Sequence, residues 1–319
     1  MKPLSCVEIC AGAGGQALGL EKAGFEPLAL VEIDKACCNT LRLNRPNWNV
    51  IEDDVKNFDG RPFHGVDLLA GGVPCPPFSK AGKQLGHKDE RDLFPEALRL
   101  VKEINPRAVM LENVRGFLDA VFEDYRLNLK RQLESMGYIA DWRLLNASDY
   151  GVSQLRPRVV IVALKKEDKN YFSWPVSNES NPFTVGKLLK DQMAANGWKN
   201  IEQWVKQADD IAPTIVGGSK KHGGPDLGPT RAKRAWASLG VDGMGIAYDP
   251  PDESFSGMPK LTVPMVARIQ GFPDHWTFTG KKTPAYRQVG NAFPPPVAYA
   301  VARQIYNCLS QSKLISIAG

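Results

Sequence analysis

The first 165 residues alternate short apolar runs with segments of helical spacing, and that alternation restricts the fold more than any other feature of the chain. "LSCVEIC" (4–10) is apolar and extended. A glycine turn follows, and then "GGQALGLEKAG", whose apolar residues recur at helical spacing up to Gly24. The order repeats in "PLALVEI" (27–33) with "DKACCNTLRLN", which stops before Pro46. It repeats again in "VDLLAGG" (66–72) with "DLFPEALRLVKEI" (92–104), and in "RAVMLENV" (107–114) with "YRLNLKRQLESMG" (125–137). "RVVIVAL" (158–164) closes the series. Strands separated by helices of this length predict an α/β fold, a doubly wound and mostly parallel sheet with helices on both faces.

After Lys165 the pattern breaks. Residues 166–260 are rich in Gly, Pro, Asn and Lys, and "TIVGGSKKHGGPDLGPTRAKRAW" (214–236) combines turn residues with clustered positive charge. The expected organisation is a catalytic and cofactor-binding domain over 1–165, a smaller loop-rich domain over 166–283, and a C-terminal segment, 284–319. That segment starts a helix at the prolines of "GNAFPPPVAYAVARQIYNCL" and returns to the first domain. No stretch is apolar for long enough to cross a bilayer, and the N-terminus enters a strand with no separate signal pattern. A soluble, cytoplasmic protein is expected. The formal net charge of +5 permits a polyanionic partner without requiring one. The six cysteines form no CxxC pair and the four histidines show no metal-ligand spacing, so neither a disulfide framework nor a metal site is expected.

"AGAGGQA" (11–17) fits G-x-G-x-x-A through Gly12, Gly14 and Ala17, between a strand and a helix. Glycines let backbone approach a ligand, and the helix N-terminus offers free N–H groups. Glu32 ends the next strand about twenty residues later, where a carboxylate can accept from both ribose hydroxyls. A tight turn beside a solvated acid is the plain alternative. Strand, turn, helix and acid in this order favour a nucleoside-type cofactor, either a dinucleotide or S-adenosylmethionine. Asp54, in "EDDV" (52–55), is placed to accept from an adenine amino group; alone it reads equally as a loop acid.

"GGVPCPPFSKAGK" (71–83) holds Cys75 among three prolines, just past the end of an apolar strand. Pro74, Pro76 and Pro77 each fix φ, so the loop aims whatever its cysteine carries. A thiolate is a strong nucleophile, although a free thiol has a pKa of about 8.5. Glu112 in "LENV" ends a strand at the same edge of the sheet, and "QLRPRV" (154–159) sets Gln154, Arg156 and Arg158 at period two. A thiol, a carboxyl group and guanidiniums at one edge suit attack on an electron-poor ring carbon, with the acid and an arginine stabilising the developing charge.

Taken in order, "CAGAGG", "VEID", "GGVPCPPFS", "LENV", "QLRPRV", "LTVPMVARIQGFPD" and "RQVGNAFPPPVA" resemble the motifs of the bacterial cytosine-C5 DNA methyltransferases of restriction–modification systems. The resemblance runs from residue 6 to 300. It implies a Rossmann-like fold dependent on S-adenosylmethionine, with a target-recognition domain over 166–283. It implies that Cys75 adds to C6 of a cytosine turned out of duplex DNA. Glu112 would then hydrogen-bond N3 and the amino group, Arg158 would hold O2, and Arg156 would support the Cys75 loop or a phosphate. Cys10, Ala11, Gly12, Gly14, Gly15, Glu32, Ile33, Asp54, Val55, Pro74, Leu93, Asn291 and Ala292 match cofactor-contacting positions. Ser79, Lys80, Lys83, Gln154, Lys220, Lys221, Arg231, Lys233 and Arg234 are the candidate DNA contacts. Two residues depart from the family pattern: Cys10 stands where phenylalanine usually meets the adenine, and Glu8 where aspartate is common. The implied protein acts as a monomer on the nucleoid, with a separate cognate endonuclease. Three other readings remain at this point: a tRNA cytosine-C5 methyltransferase, a catalytically silent DNA-binding homologue, and a nicotinamide-dependent enzyme with a cysteine nucleophile.

Overall fold

The computed structural model describes residues 3–74, 92–177, 182–218 and 225–318. Cys75, Ser79, Lys80, Lys83, Lys220 and Lys221 lie outside the described residues. The chain divides into two compact units. The first comprises Met1–Leu145, Pro157–Val176 and Val297–Gly319, and the second comprises Asn146–Arg156 and Ser177–Pro296.

The first half follows the expected alternation. In chain order its elements are β1 (Leu4–Ile9), α1 (Gly15–Ala23), β2 (Phe25–Glu32), α2 (Lys35–Asn44), β3 (Val50–Glu52) and β4 (Leu68–Gly72). Then come α3 (Phe94–Ile104), β5 (Ala108–Val114), α4 (Glu123–Ser135), β6 (Tyr138–Asn146), β7 (Pro157–Lys165) and the single turn α5 (Lys166–Lys169). Helix ends sit where local chemistry puts them. Gly24 adopts φ 107° and returns its N–H to the carbonyls of Leu20 and Glu21, closing α1. The Asp34 side chain accepts from the Ala36 N–H and starts α2.

The strands form one seven-stranded sheet in the order β3-β2-β1-β4-β5-β7-β6. β1 to β5 pair in parallel, whereas β7 runs antiparallel to β5. Two features went unread in the sequence. "YIADWRLLN" forms β6, a strand mostly exposed along one side, whose polar positions hide it from a search for apolar runs. The direction of β7 follows from the connection that precedes it, which is not a crossover helix. On one face of the sheet Val7, Ile9, Val31, Leu69, Val109, Leu111, Val159 and Ile161 pack with Phe94, Leu100, Leu129 and Leu133 from α3 and α4. On the other face α1 lies close against the C-terminal helix α11 (Pro295–Ala318): a Cβ on Gly19 would stand 2.6 Å from the Tyr299 nitrogen.

The second unit carries more helix than its turn-rich sequence suggests: α6 (Val185–Met193), α7 (Ile201–Gln207), α8 (Thr230–Ser238), α9 (Val263–Ile269) and α10 (Lys282–Asn291). Each has only two or three turns, too few for periodicity to stand out. Tryptophans hold them together. The Trp204 indole donates to the Gly240 carbonyl at 3.0 Å, and Trp198 donates to the Phe255 carbonyl at the same distance.

Candidate active site

Sheet register brings the chemistry-bearing residues into one row. Ile9 pairs with Val31 on one side and Gly71 on the other, and Gly71 pairs with Leu111. One residue further out lie Cys10, Glu32, Gly72 and Glu112. Glu52 continues the row beside Glu32, and Val160 continues it beside Glu112. These are the carboxyl ends of the parallel strands, where open α/β sheets take their ligands.

At the β1–α1 turn, Cys10, Gly12 and Gly14 all adopt positive φ, at 51°, 55° and 91°. Glycine does this freely. Cys10 does it at a cost of about 1–2 kcal/mol, the kind of local strain that persists where the surroundings impose it. Its thiol is pushed far up by burial and the neighbouring Glu32 carboxylate, so it stays protonated and behaves as a small apolar group. Glu32 is buried, and its two carboxyl oxygens accept from the Gly12 N–H at 2.8 Å and the Asp34 N–H at 2.7 Å. Burial raises its pKa above the ordinary carboxylate range, against the downward pull of those two amides. The Ile33 amide bonds to it as well, so three backbone donors engage a carboxylate that offers about four acceptor positions. A Cβ on Gly12 would meet nothing within 4 Å, so the outer side of the turn is open. Ile33 is 67% exposed beside it.

The other expected cofactor residues surround this turn or continue the same edge. Ala11 and Gly15 are buried in the turn, and Val55 is buried after β3. Asp54 accepts from the Lys56 N–H at 3.0 Å. Pro74 is exposed just beyond β4, and Leu93 precedes α3. A carboxylate at a strand end, an exposed apolar side chain and an open glycine turn fit a nucleoside bearing ribose hydroxyls and a flat base. Asn291, exposed, and Ala292, buried, belong to the second unit.

At the other end of the row, the Arg158 Nε donates to Glu112 Oε1 at 2.7 Å, and the two side chains are only 14% and 13% exposed. Arg158 lies two residues along β7 from Val160, the partner of Glu112, so both side chains share one face of the sheet. Burial pulls the Arg158 guanidinium down from its ordinary value and the Glu112 carboxylate pushes it back. Next to them is a residue that sequence reasoning passed over. Asn113 is buried, and its side-chain amide donates to the Val73 carbonyl at 3.2 Å, tying β5 to the backbone two residues before Cys75. The sequence shows only an asparagine beside Glu112 at the end of an apolar run, and its burial comes from what packs around it.

The sequence matches the family described as C-5 cytosine-specific DNA methylase over residues 4–307. The chain belongs to the C-5 cytosine-specific DNA methylases. It is 59% identical over 308 residues to Type II methyltransferase M.NgoMIV of Neisseria gonorrhoeae, an alignment covering 96% of this chain and 98% of that protein. It is 58% identical to Type II methyltransferase M.NaeI of Lentzea aerocolonigenes, over 97% of this chain and 76% of that one. Among solved structures it resembles the Entamoeba histolytica methyltransferase EhMeth, with a TM-score of 0.68, 14% identity, and 97% and 99% of the two chains covered. At that identity the likeness speaks for the fold.

This methylase therefore has the mixed-sheet, Rossmann-like fold its sequence implied, and it is a DNA cytosine-5-methyltransferase. Among the described residues no helix is long and apolar enough to cross a membrane.

In the methylase, two members of "QLRPRV" do not share the surface with Arg158. Gln154 was expected to meet DNA, but it is fully buried. Its Nε2 donates to Gln270 Oε1 at 2.6 Å, and its Oε1 accepts from the Ile215 N–H at 2.8 Å. Arg156 is also fully buried. It donates to the carbonyls of Ile215 at 2.7 Å, Gly290 at 2.7 Å and Ala292 at 3.1 Å, which leaves no exposed face for a phosphate. Period two places the three side chains on one face only if all are in a strand, and β7 begins at Pro157. Lys233 pairs with Asp226 at 2.8 Å, whereas Arg231 and Arg234 are exposed on α8. The second unit also exposes Met244 and Tyr248, at 70% and 72%, with the Lys282 ammonium 4.2 Å from the Tyr248 ring centroid.

Glu8 of the methylase lies in β1, fully enclosed, and neither carboxyl oxygen has a hydrogen-bond partner among the described residues. Burial, reinforced by the Glu32 charge, raises its pKa well above the ordinary range. A carboxyl group that holds its proton more tightly folded than unfolded stabilises below its unfolded pKa and loses that contribution as pH rises towards the folded value. Glu8→Gln, neutral at every pH, is therefore expected to raise Tm at pH 8 and to leave it nearly unchanged at pH 4, as followed by calorimetry at the two values.

Proposed function

We propose that this methylase modifies C5 of a cytosine within a specific duplex DNA sequence through a covalent Cys75–C6 adduct, protecting that DNA from a cognate endonuclease. The observation that carries the reading is the Glu112–Arg158 pair, 2.7 Å apart, beside the Asn113 tether to Val73, two residues before Cys75 in sequence. The names of its relatives, Type II methyltransferases, supply the restriction–modification context. S-adenosylmethionine, when bound, supplies the methyl group as a sulfonium. Gly12, Glu32, Ile33 and Asp54 would hold its nucleoside, and Asn291 and Ala292 are proposed as cofactor contacts in their own right.

In the proposed reaction the Cys75 thiolate adds to C6. The electron pair of the C5–C6 bond moves to C5, while Glu112, protonated in the complex with the base, hydrogen-bonds N3 and Arg158 steadies O2. C5 is then nucleophilic enough to take the methyl group, with the electron pair of the broken S–C bond staying on the sulfur, which leaves as a neutral thioether. Loss of the C5 proton to a base restores the double bond and expels the thiolate. The target must leave the stack, because C6 is shielded within a duplex. Arg231, Arg234, Met244, Tyr248 and Lys282 are proposed to face DNA: the cations suit phosphates, and the apolar side chains suit base edges and methyl groups.

The deciding measurement is transfer of labelled methyl groups to duplex DNA and to tRNA in parallel, with bisulfite sequencing of DNA from expressing cells. Incorporation into DNA at one sequence context is expected. Incorporation into tRNA alone would overturn the proposal.

A further inference from the structure

Within the second unit, two backbones far apart in sequence touch with no side chain between them. A Cβ on Gly290 would stand 2.6 Å from the Gly217 nitrogen, and a Cβ on Gly217 would stand 2.7 Å from the Asn291 nitrogen, both closer than real Cβ atoms come. Neither glycine has a positive φ, so what requires glycine here is space and not conformation. The contact is also locked laterally. One nitrogen of the Arg156 guanidinium donates to the Ile215 carbonyl, and the other donates to those of Gly290 and Ala292. Gln154 accepts from the Ile215 N–H, while its partner Gln270 donates to the Ala292 carbonyl at 2.6 Å. The Tyr286 hydroxyl donates to the Val216 carbonyl at 3.0 Å, and Asn291 donates to the Gly218 carbonyl at 3.4 Å. Sliding either backbone would break several of these hydrogen bonds at once and strand buried carbonyls.

We propose that the segment Ile215–Gly218 is a positioning element for the turn Gly290–Ala292, with Gly217 setting the spacing that presents Asn291 to the cofactor. The inference rests on the reading that Asn291 and Ala292 contact S-adenosylmethionine. Arg156 acts in the same way, as a positioning residue that clamps the two backbones. A residue in the recognition region thereby governs cofactor affinity. Gly217 immediately precedes the basic, glycine-rich stretch of 218–224, and nothing in its type or its neighbours in sequence relates it to a nucleoside.

The test compares Gly217→Ala with Gly186→Ala, a control in the same unit. A Cβ at Gly186 is equally crowded, 2.9 Å from the Val205 Cα, but presses on α7 instead. Titration calorimetry with S-adenosylmethionine is run on the wild-type chain and both variants, alongside thermal melts and cofactor-free binding to a mixed-sequence duplex. Both variants should melt earlier. Gly217→Ala should bind the cofactor at least tenfold more weakly, while Gly186→Ala stays within twofold of wild type and DNA affinity changes little in either. Tyr286→Phe, which removes only the hydroxyl on Val216, should weaken cofactor binding severalfold and tests the same contact should Gly217→Ala fail to fold. A wild-type chain that binds no S-adenosylmethionine overturns the cofactor reading and this inference with it. If the wild type binds and Gly217→Ala, or Tyr286→Phe in its place, binds equally well, the inference alone is overturned. An equal loss in Gly186→Ala would also overturn it, by showing that general loosening is enough.

Discussion

Cys75→Ser is expected to abolish methyl transfer, by a factor of a thousand or more, while leaving DNA affinity within a fewfold of wild type. The reasoning is chemical. Addition to C6 needs a nucleophile that is appreciably ionised near neutral pH, and a thiol meets that condition far better than a hydroxyl. Serine is close to cysteine in size and leaves the three flanking prolines of the sequence in place. Single-turnover transfer of labelled methyl groups reads the chemistry, and fluorescence anisotropy with a duplex reads binding. Retained turnover would remove Cys75 from the role of nucleophile.

The second large effect is expected at Arg158. Replacing it by leucine leaves the Glu112 carboxylate without the guanidinium that now sits 2.7 Å away in a largely enclosed setting. Breaking a buried pair on one side costs about 3–5 kcal/mol, and the residual exposure here points to the lower end of that range. Urea denaturation should show the loss. Adding Glu112→Gln to Arg158→Leu removes both charges and is expected to recover much of the stability. Activity should stay absent in both, because the single variant removes the O2 partner of the base and the double variant removes the acid at N3 as well. Recovery of turnover along with stability would mean that the pair serves the fold and not the chemistry.

These two residues also show how far the sequence could be read. Glu112 and Arg158 are 46 positions apart, and each ends or opens an apolar run, so their placement at a sheet edge followed from strand patterning alone. The antiparallel register that puts them on one face did not follow, because pairing direction depends on the connection between strands. Arg156 and Gln154 mark the other limit. A polar residue's sequence neighbours do not say whether it faces solvent or, like Arg156, meets three backbone carbonyls in an interior. Asn113 and Glu8 were likewise invisible as buried groups, since burial of a polar side chain is a property of what packs around it.

What the chain's sequence settled by itself was local and ordered: the alternation that makes an α/β sheet, the glycine turn after β1, the helix stop at Gly24, and the succession of motifs that marks a cytosine-C5 DNA methylase. Those features survive in one dimension because they depend on neighbours a few residues away. Tertiary structure alone decided which strands lie side by side, which charges pair, and that Gly217 meets Gly290 across 73 positions of chain. Such contacts depend on how closely two distant backbones can pack, and no local pattern of residues encodes that distance.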